Sequence, residues 1–342
     1  MSNLKVNTIN DDSGGSAAVL YGVAAPVGSM GFRNRLMNAN MAIAQRATSA
    51  TVTAGTAVPT ASTGYPAVDR FFVYSTGANV TAARVAGAGN TQYRMQITGA
   101  ASVTTVGVGQ RIEQLNSYDL AGGNATLSVD LANSALTTVT WTASYATTAD
   151  TFGTIGTPTK TQIATGTFTV NSTVTNYTAT FAVPAAATTG VEILLTVGAQ
   201  TSGTWTIGNI QLEAGSVASP FERRDYGREL MMCQRYCWVI NSTGQDTMWG
   251  SGRWEGNLGY IQLVYPVVMR SQPSISLSTA SGLQLVDPAV AWHNVTALNG
   301  IHKNGLRSMD AAFLTGTSIT AGRATILAVN SGSPTATISA EL

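Results

Sequence analysis

Charge is scarce in this chain. Only 10% of its 342 residues are Asp, Glu, Lys or Arg, against about a quarter in an average globular protein. The formal net charge is +1 and three of the 18 basic residues are lysines. No basic field exists to contact phosphates, which excludes the usual mode of nucleic-acid binding. Cysteine is nearly missing: Cys233 and Cys237 stand alone, with no second pair, CxxC or HExxH beside them, and the histidines are limited to His293 and His302. That excludes a disulfide framework and supplies no spacing for a zinc site. Long apolar runs are absent as well. Val191 to Ala199 is the greasiest stretch, and it contains Glu192 and falls short of the roughly 18 residues that read as a membrane span. MSNLKVNTIN carries no apolar core, so no secretory signal is expected.

What the chain has in quantity is threonine, 48 residues, and glycine, 35, in a sequence that is 44% apolar. That apolar share excludes disorder. The low charge gives copies of the chain little mutual repulsion, which favours assembly. From Thr51 to Glu213 short segments of β-branched and aromatic residues alternate with threonine, and Gly, Asn, Pro or Ser punctuate them. In TVTWTASY, Val139, Trp141 and Ala143 fall on one face and Thr138, Thr140 and Thr142 on the other. Many such strands without crossover helices predict an antiparallel two-sheet sandwich. Phe32 to Thr48 fits a helix or a strand equally well.

A helix is predicted inside Glu222 to Trp238, two or three turns from about Asp225, with Tyr226, Leu230, Cys233 and Cys237 in line. The expected fold is all-β: a separate N-terminal leader (1–30), a two-sheet sandwich (31–222), a short linking helix (223–237) and a C-terminal β-sandwich-like domain (238–342). In the leader, LKVNTI reads as one strand and AAVLYG as a second. In the last domain YCWVINS, YIQLVYPVV, SISLST, ATILAVN and TATISAEL read as strands, and Pro273 as a strand start or edge.

No catalytic set emerges. The two histidines have no Ser or Cys in a nucleophile context, and the sandwich acids Glu113, Asp119, Asp130, Asp150 and Glu192 are scattered singly. The cysteines read as core packing. No metal or cofactor is expected, though a sandwich of this kind has room for a structural calcium. Aromatics point to ligand binding instead. Trp249, Arg253, Trp254 and Glu255, with Trp292 and His293, fall in two stretches read as loops, 241–260 and 287–307. Exposed rings that stack on sugar faces, beside charged groups that fix hydroxyls, make these the candidate ligand contacts; plugging the core is the competing role for the tryptophans.

Several blocks carry a resemblance: NRLMNANMAIAQR (34–46), YPAVDRFFV (65–73), QRIE (110–113), IQLEAGSVASPFERRDYGRELMMCQRY (210–236), VVMRSQPSI (267–275) and the closing ISAEL. Together they resemble tail fibre, or receptor-binding, proteins of tailed bacteriophages that contain a carbohydrate-binding-module-like jelly roll. The sequence departs from that pattern at Ser219, where Thr is common, and at Asn38-Ala39-Asn40, where Asn-Gly-Asp is usual. The resemblance implies a homotrimer in the virion, assembled in the host cytoplasm. It would be anchored to a tail, baseplate or adaptor protein through residues 1–30, with adhesion to host surface polysaccharide at a distal C-terminal tip, no nucleic acid and no membrane insertion. It implies no enzyme. The alternatives are a structural tail adaptor or decoration, and a polysaccharide-depolymerising fibre.

Overall fold

The computed structural model describes residues 32–241, 247–286 and 291–342, together with a short antiparallel ladder of β1 (Val19–Leu20) on β2 (Val23–Ala24). The leader strand expected at LKVNTI lies outside the described residues.

Residues 49–214 form two antiparallel sheets packed face to face. One contains β4 (Phe72–Thr76), β7 (Thr105–Ile112), β9 (Thr138–Ala146), β10 (Lys160–Thr169) and β12 (Val191–Val197), in the order β10-β9-β12-β7-β4. The other contains β3 (Ser49–Val52), β5 (Val80–Ala86), β6 (Tyr93–Thr98), β8 (Asn124–Asn133), β11 (Thr175–Ala182) and β13 (Thr204–Ala214), in the order β11-β8-β13-β6-β5-β3. Alternation places the core as the pleat requires. Val139, Trp141 and Ala143 are buried, and Trp141 stacks on Phe181 with ring centroids 5.4 Å apart. Gly107 and Gly109 of β7 are fixed by space, since a Cβ would lie 2.1 Å from the Tyr74 ring at the first and 2.4 Å from the Phe72 ring at the second.

Phe32 to Thr48 is neither helix nor strand. Two asparagine amides hold it in an irregular path. Asn34 donates to the Ile210 carbonyl at 2.9 Å and accepts from the backbone N–H groups of Leu36 and Leu212. Asn38, at φ 54°, donates to the Ile43 and Asp69 carbonyls and accepts from the Ile43 N–H. The ladder of β13 shifts register between Gly208 and Gln211, and beyond that bulge the Arg35 N–H bonds the Leu212 carbonyl at 2.8 Å. The segment therefore takes the place of a strand beside the end of β13.

A one-turn helix, α1 (Gln114–Ser117), follows β7. The predicted linking helix is α2 (Tyr226–Gln234), capped by the Asp225 side chain, which accepts from the Arg228 N–H at 3.2 Å. Cys233 is buried while Tyr226 is exposed, and Cys237 already belongs to the next strand. Both thiols are free, and burial pushes both well above the ordinary cysteine range, as expected of packing groups. Glu229, buried in the first turn, meets Arg224 at 3.5 Å and the Asn38 N–H.

The chain then forms β14 (Cys237–Asn241), β15 (Met248–Val264), β16 (Ser274–Leu277), β17 (Leu283–Val286), β18 (Trp292–Asn304), β19 (Ser308–Ile319), β20 (Ala324–Val329) and β21 (Thr335–Ser339). The C-terminal β region is a closed barrel, β15-β19-β18-β17-β20, beside a three-stranded sheet, β14-β21-β16. β16 starts directly after Pro273 and is an edge strand. Two segments read as loops, 241–260 and 287–307, are corrected: β15 and β18 run through most of them. Their period-2 signal is hidden because Gly, Ser, Asn and Thr fill many outward positions and bulges shift the register.

ISAEL joins the two halves. Glu341 is buried against Arg70, itself 1% exposed, and Arg46 stands 3.3 Å from the same carboxylate. The Arg70 guanidinium lies 3.4 Å over the Tyr236 ring and donates to the Arg111 carbonyl at 2.7 Å. The Leu342 main-chain oxygen accepts from Tyr65 at 3.0 Å and Arg111 at 2.9 Å, while Arg111 also bonds Glu192 at 2.9 Å. Arg270 donates to the Ala340 and Glu341 carbonyls at 2.9 and 3.0 Å. Burial, with Glu341 nearby, raises the Tyr65 phenol above its ordinary range.

Breaking one side of this pair strands a charge in the interior. Glu341→Leu is expected to cost about 3–5 kcal/mol in urea unfolding, and adding Arg70→Met should recover part of that loss. A single-variant cost under about 1 kcal/mol would show that the contact is not the clamp.

Candidate functional site

The barrel turns on one bent strand. The first arm of β15 pairs with β20, from Met248 opposite Ala328 to Arg253 opposite Ala324. Its second arm pairs with β19, from Gly256 opposite Ile319 to Val264 opposite Ser308. Gly256, at φ +65°, sits between the arms. They come together so closely that a Cβ on Gly252 would lie 1.7 Å from the Tyr260 carbonyl oxygen.

The tight barrel needs large plugs, and the tryptophans supply them. Trp254 is 0% exposed and Trp249 8%, both packed with Ile261, Leu263, Leu285, Phe313 and Leu327. This corrects the expectation that these two rings line a ligand surface; in this fold they fill the core. His293 lies edge-on to Trp254, ring centroids 5.4 Å apart, at the barrel wall. Glu255 is exposed at the bend, away from the groove described next. Trp292 is 46% exposed and is the cross-strand partner of Val286.

An open groove of about 1,090 Å³ runs along both arms of β15 and the strands they pair with. Arg253, Tyr260, Gln262, Lys303, Asn304 and Asp310 give it its chemistry. Arg253 faces Asp310 at 3.4 Å and lies 4.9 Å from the Tyr260 ring centroid. His302 Nδ1 is 3.2 Å from the same Asp310 oxygen, and its ring meets the edge of Tyr260 at 4.7 Å. Val286 also lines the groove, and its cross-strand partner Trp292, which is not among the lining residues, shares its face of the sheet. Of the predicted residues, the structure thus brings Arg253 into the groove, sets Trp292 near it, and leaves Trp249, Trp254, His293 and Glu255 outside.

Gln262, His302, Lys303 and Asp310 are not among the ligand contacts that the sequence suggests, and Tyr260 stands there only as a neighbour of the tryptophans. The available signal was the alternation in Tyr260-Ile261-Gln262-Leu263, which already places Tyr260 and Gln262 opposite two core residues. Among the described residues no cluster of three or more His, Cys, Asp or Glu is arranged to hold a metal ion, and no helix is long and apolar enough to cross a membrane.

No family model matches the chain, and no curated protein matches it. Solved structures resemble it in fold. The enzymatically active domain of tailspike protein 4 from bacteriophage CBA120 is 16% identical over 47% of this chain, with a TM-score of 0.32; the match spans 21% of that protein's length. A carbohydrate-binding module of family 4 is 13% identical over 52% of this chain and 98% of its own, with a TM-score of 0.36. The family 11 module from Clostridium thermocellum, solved with a mixed-linked tetrasaccharide, is 14% identical over 45% of this chain and 94% of its own, with a TM-score of 0.30. These are distant likenesses of sandwich architecture.

The placement of the tryptophans is directly checkable. Trp254→Ala should destabilise the protein by about 3–5 kcal/mol in urea unfolding followed by circular dichroism. Trp292→Ala should stay within about 0.5 kcal/mol of the parent. Equal costs would contradict the barrel packing.

Proposed function

We propose that this chain is an adhesive fibre protein of a tailed bacteriophage that holds bacterial surface polysaccharide in the barrel groove. The observation that carries the reading is the groove itself. An open groove admits a polymer from the side, and its Arg, Gln, Lys, Asn and Asp side chains supply donors and acceptors for ring hydroxyls. Trp292 offers an exposed ring for the apolar face of a sugar. The resemblance of the 210–236 block and the closing ISAEL to tail fibre proteins supports the virion setting, with residues 1–30 as the attachment segment. A homotrimer would multiply a weak single-groove affinity by linking three sites.

Adhesion here needs no chemistry on the glycan. The rigid barrel presents the groove, and the buried clamp at Glu341 holds the barrel on the sandwich, so binding tension would pass into the sandwich through charge-assisted hydrogen bonds. A chain cut at residue 237 would take Glu341 from Arg70 and the Leu342 main-chain oxygen from Tyr65 and Arg111, so point variants are the sound test.

Full-length protein should sediment with capsulated cells of a susceptible strain and not with an isogenic capsule-free strain. Arg253→Ala and Gln262→Ala should each weaken this binding about tenfold while leaving thermal unfolding unchanged. Retention by both variants would move adhesion away from the groove, and failure of the parent chain to bind any candidate strain would favour a purely structural tail component.

A further inference from the structure

Resting on the groove as the glycan site, we infer that its ligand class is an acidic polysaccharide, one carrying uronate or phosphate groups, and that Arg253 and Lys303 read the negative charge. The first argument is the balance of charge. Among the residues lining the groove, Arg253 and Lys303 are cationic and Asp310 is the carboxylate. Asp310 is already engaged, with Arg253 on one side at 3.4 Å and His302 on the other at 3.2 Å. Lys303 is paired with Asp310 in the β18–β19 register, yet its ammonium makes no ion pair with any described residue. A cation is therefore left over in a concave site, in a chain whose total charge is close to zero.

The second argument is the state of Arg253. A guanidinium has five N–H donors in a planar fork suited to two oxygens of one anion. Here its one ion pair is the long contact to Asp310, and its side chain is 48% exposed, so most of the fork is open to a ligand. Stacking on Tyr260 fixes the guanidinium without using those donors.

The third argument concerns the alternative, a neutral glycan bound by stacking on Tyr260. Arg253 lies against that ring and His302 meets its edge, so the most central aromatic surface of the groove is already covered. Recognition in the middle of the groove falls to charged and amide groups, with Trp292 left as the outlying ring.

The test uses the full chain and the purified capsular polysaccharide of a strain to which it adheres. Three forms of that polymer are compared by biolayer interferometry: native, carboxyl-reduced, and dephosphorylated with aqueous hydrogen fluoride. The inference expects one of the two treatments to weaken binding about tenfold or more, and the one that does so distinguishes uronate from phosphate. Arg253→Gln and Lys303→Gln should each weaken binding to the native polymer by a clearly larger factor than binding to the neutralised polymer, whereas Gln262→Ala should weaken both by a similar factor. Equal binding of all three polymers, with Gln262→Ala still impaired, would overturn the acidic class and keep the groove as a site for neutral glycan. Loss of neither by any groove variant would overturn both readings.

Discussion

Glu341 enters the interior of the protein with two arginines waiting for it, and the arrangement of both halves depends on that meeting. An unpaired carboxylate could not be buried there, and Arg70 could not lie 1% exposed without it. Around the pair, Tyr65, Arg111, Tyr236 and Arg270 fix the main chain of residues 340–342 and the face of the sandwich that receives it. A largely uncharged protein has placed several of its few charges at this joint. The joint is consequently a point of specificity, where one register of barrel against sandwich brings the buried charges to their partners, more than a source of net stabilisation.

The strands of the sandwich were legible because threonine on one face and Val, Ile, Leu or Trp on the other give an undiluted period of two. Helix α2 was legible for a comparable reason, its cap at Asp225 and its apolar line at Leu230 and Cys233. The barrel was harder. In β15, β18 and β19, bulges break the alternation, and glycines required by the crossing of the two arms look like turn signals when read along the chain. The same masking misplaced Trp249 and Trp254: a glycine-rich stretch reads as a loop, and an aromatic in a loop reads as exposed.

The blocks that carry the family resemblance have a common physical role. Asn34 and Asn38 stand in for missing strand partners, and Gln110 pairs both ways with the Met37 backbone. Glu113 holds Arg235 at 3.0 Å, Gln211 and Glu213 tie down Ser219, and Glu341 holds Arg70. Most of these are fixed polar contacts between segments far apart in sequence, so they mark where the chain must be joined and say little about what it binds. The groove residues Arg253, Tyr260, Gln262, Lys303 and Asp310 lie outside every one of those blocks. A scaffold whose joints are specified separately from its binding face can vary that face without losing its assembly.

In the proposed function, a barrel held on the sandwich by Glu341 presents a glycan groove along the two arms of β15. Hydrogen–deuterium exchange of the full chain, free and with fragments of a bound capsular polysaccharide, addresses it most directly. Ligand-dependent protection is expected to be confined to residues 251–262, 303–310 and 324–326, with residues 335–342 exchanging slowly in both states. Protection that falls instead on the sandwich sheets, or fast exchange of residues 335–342 in the free protein, would contradict it.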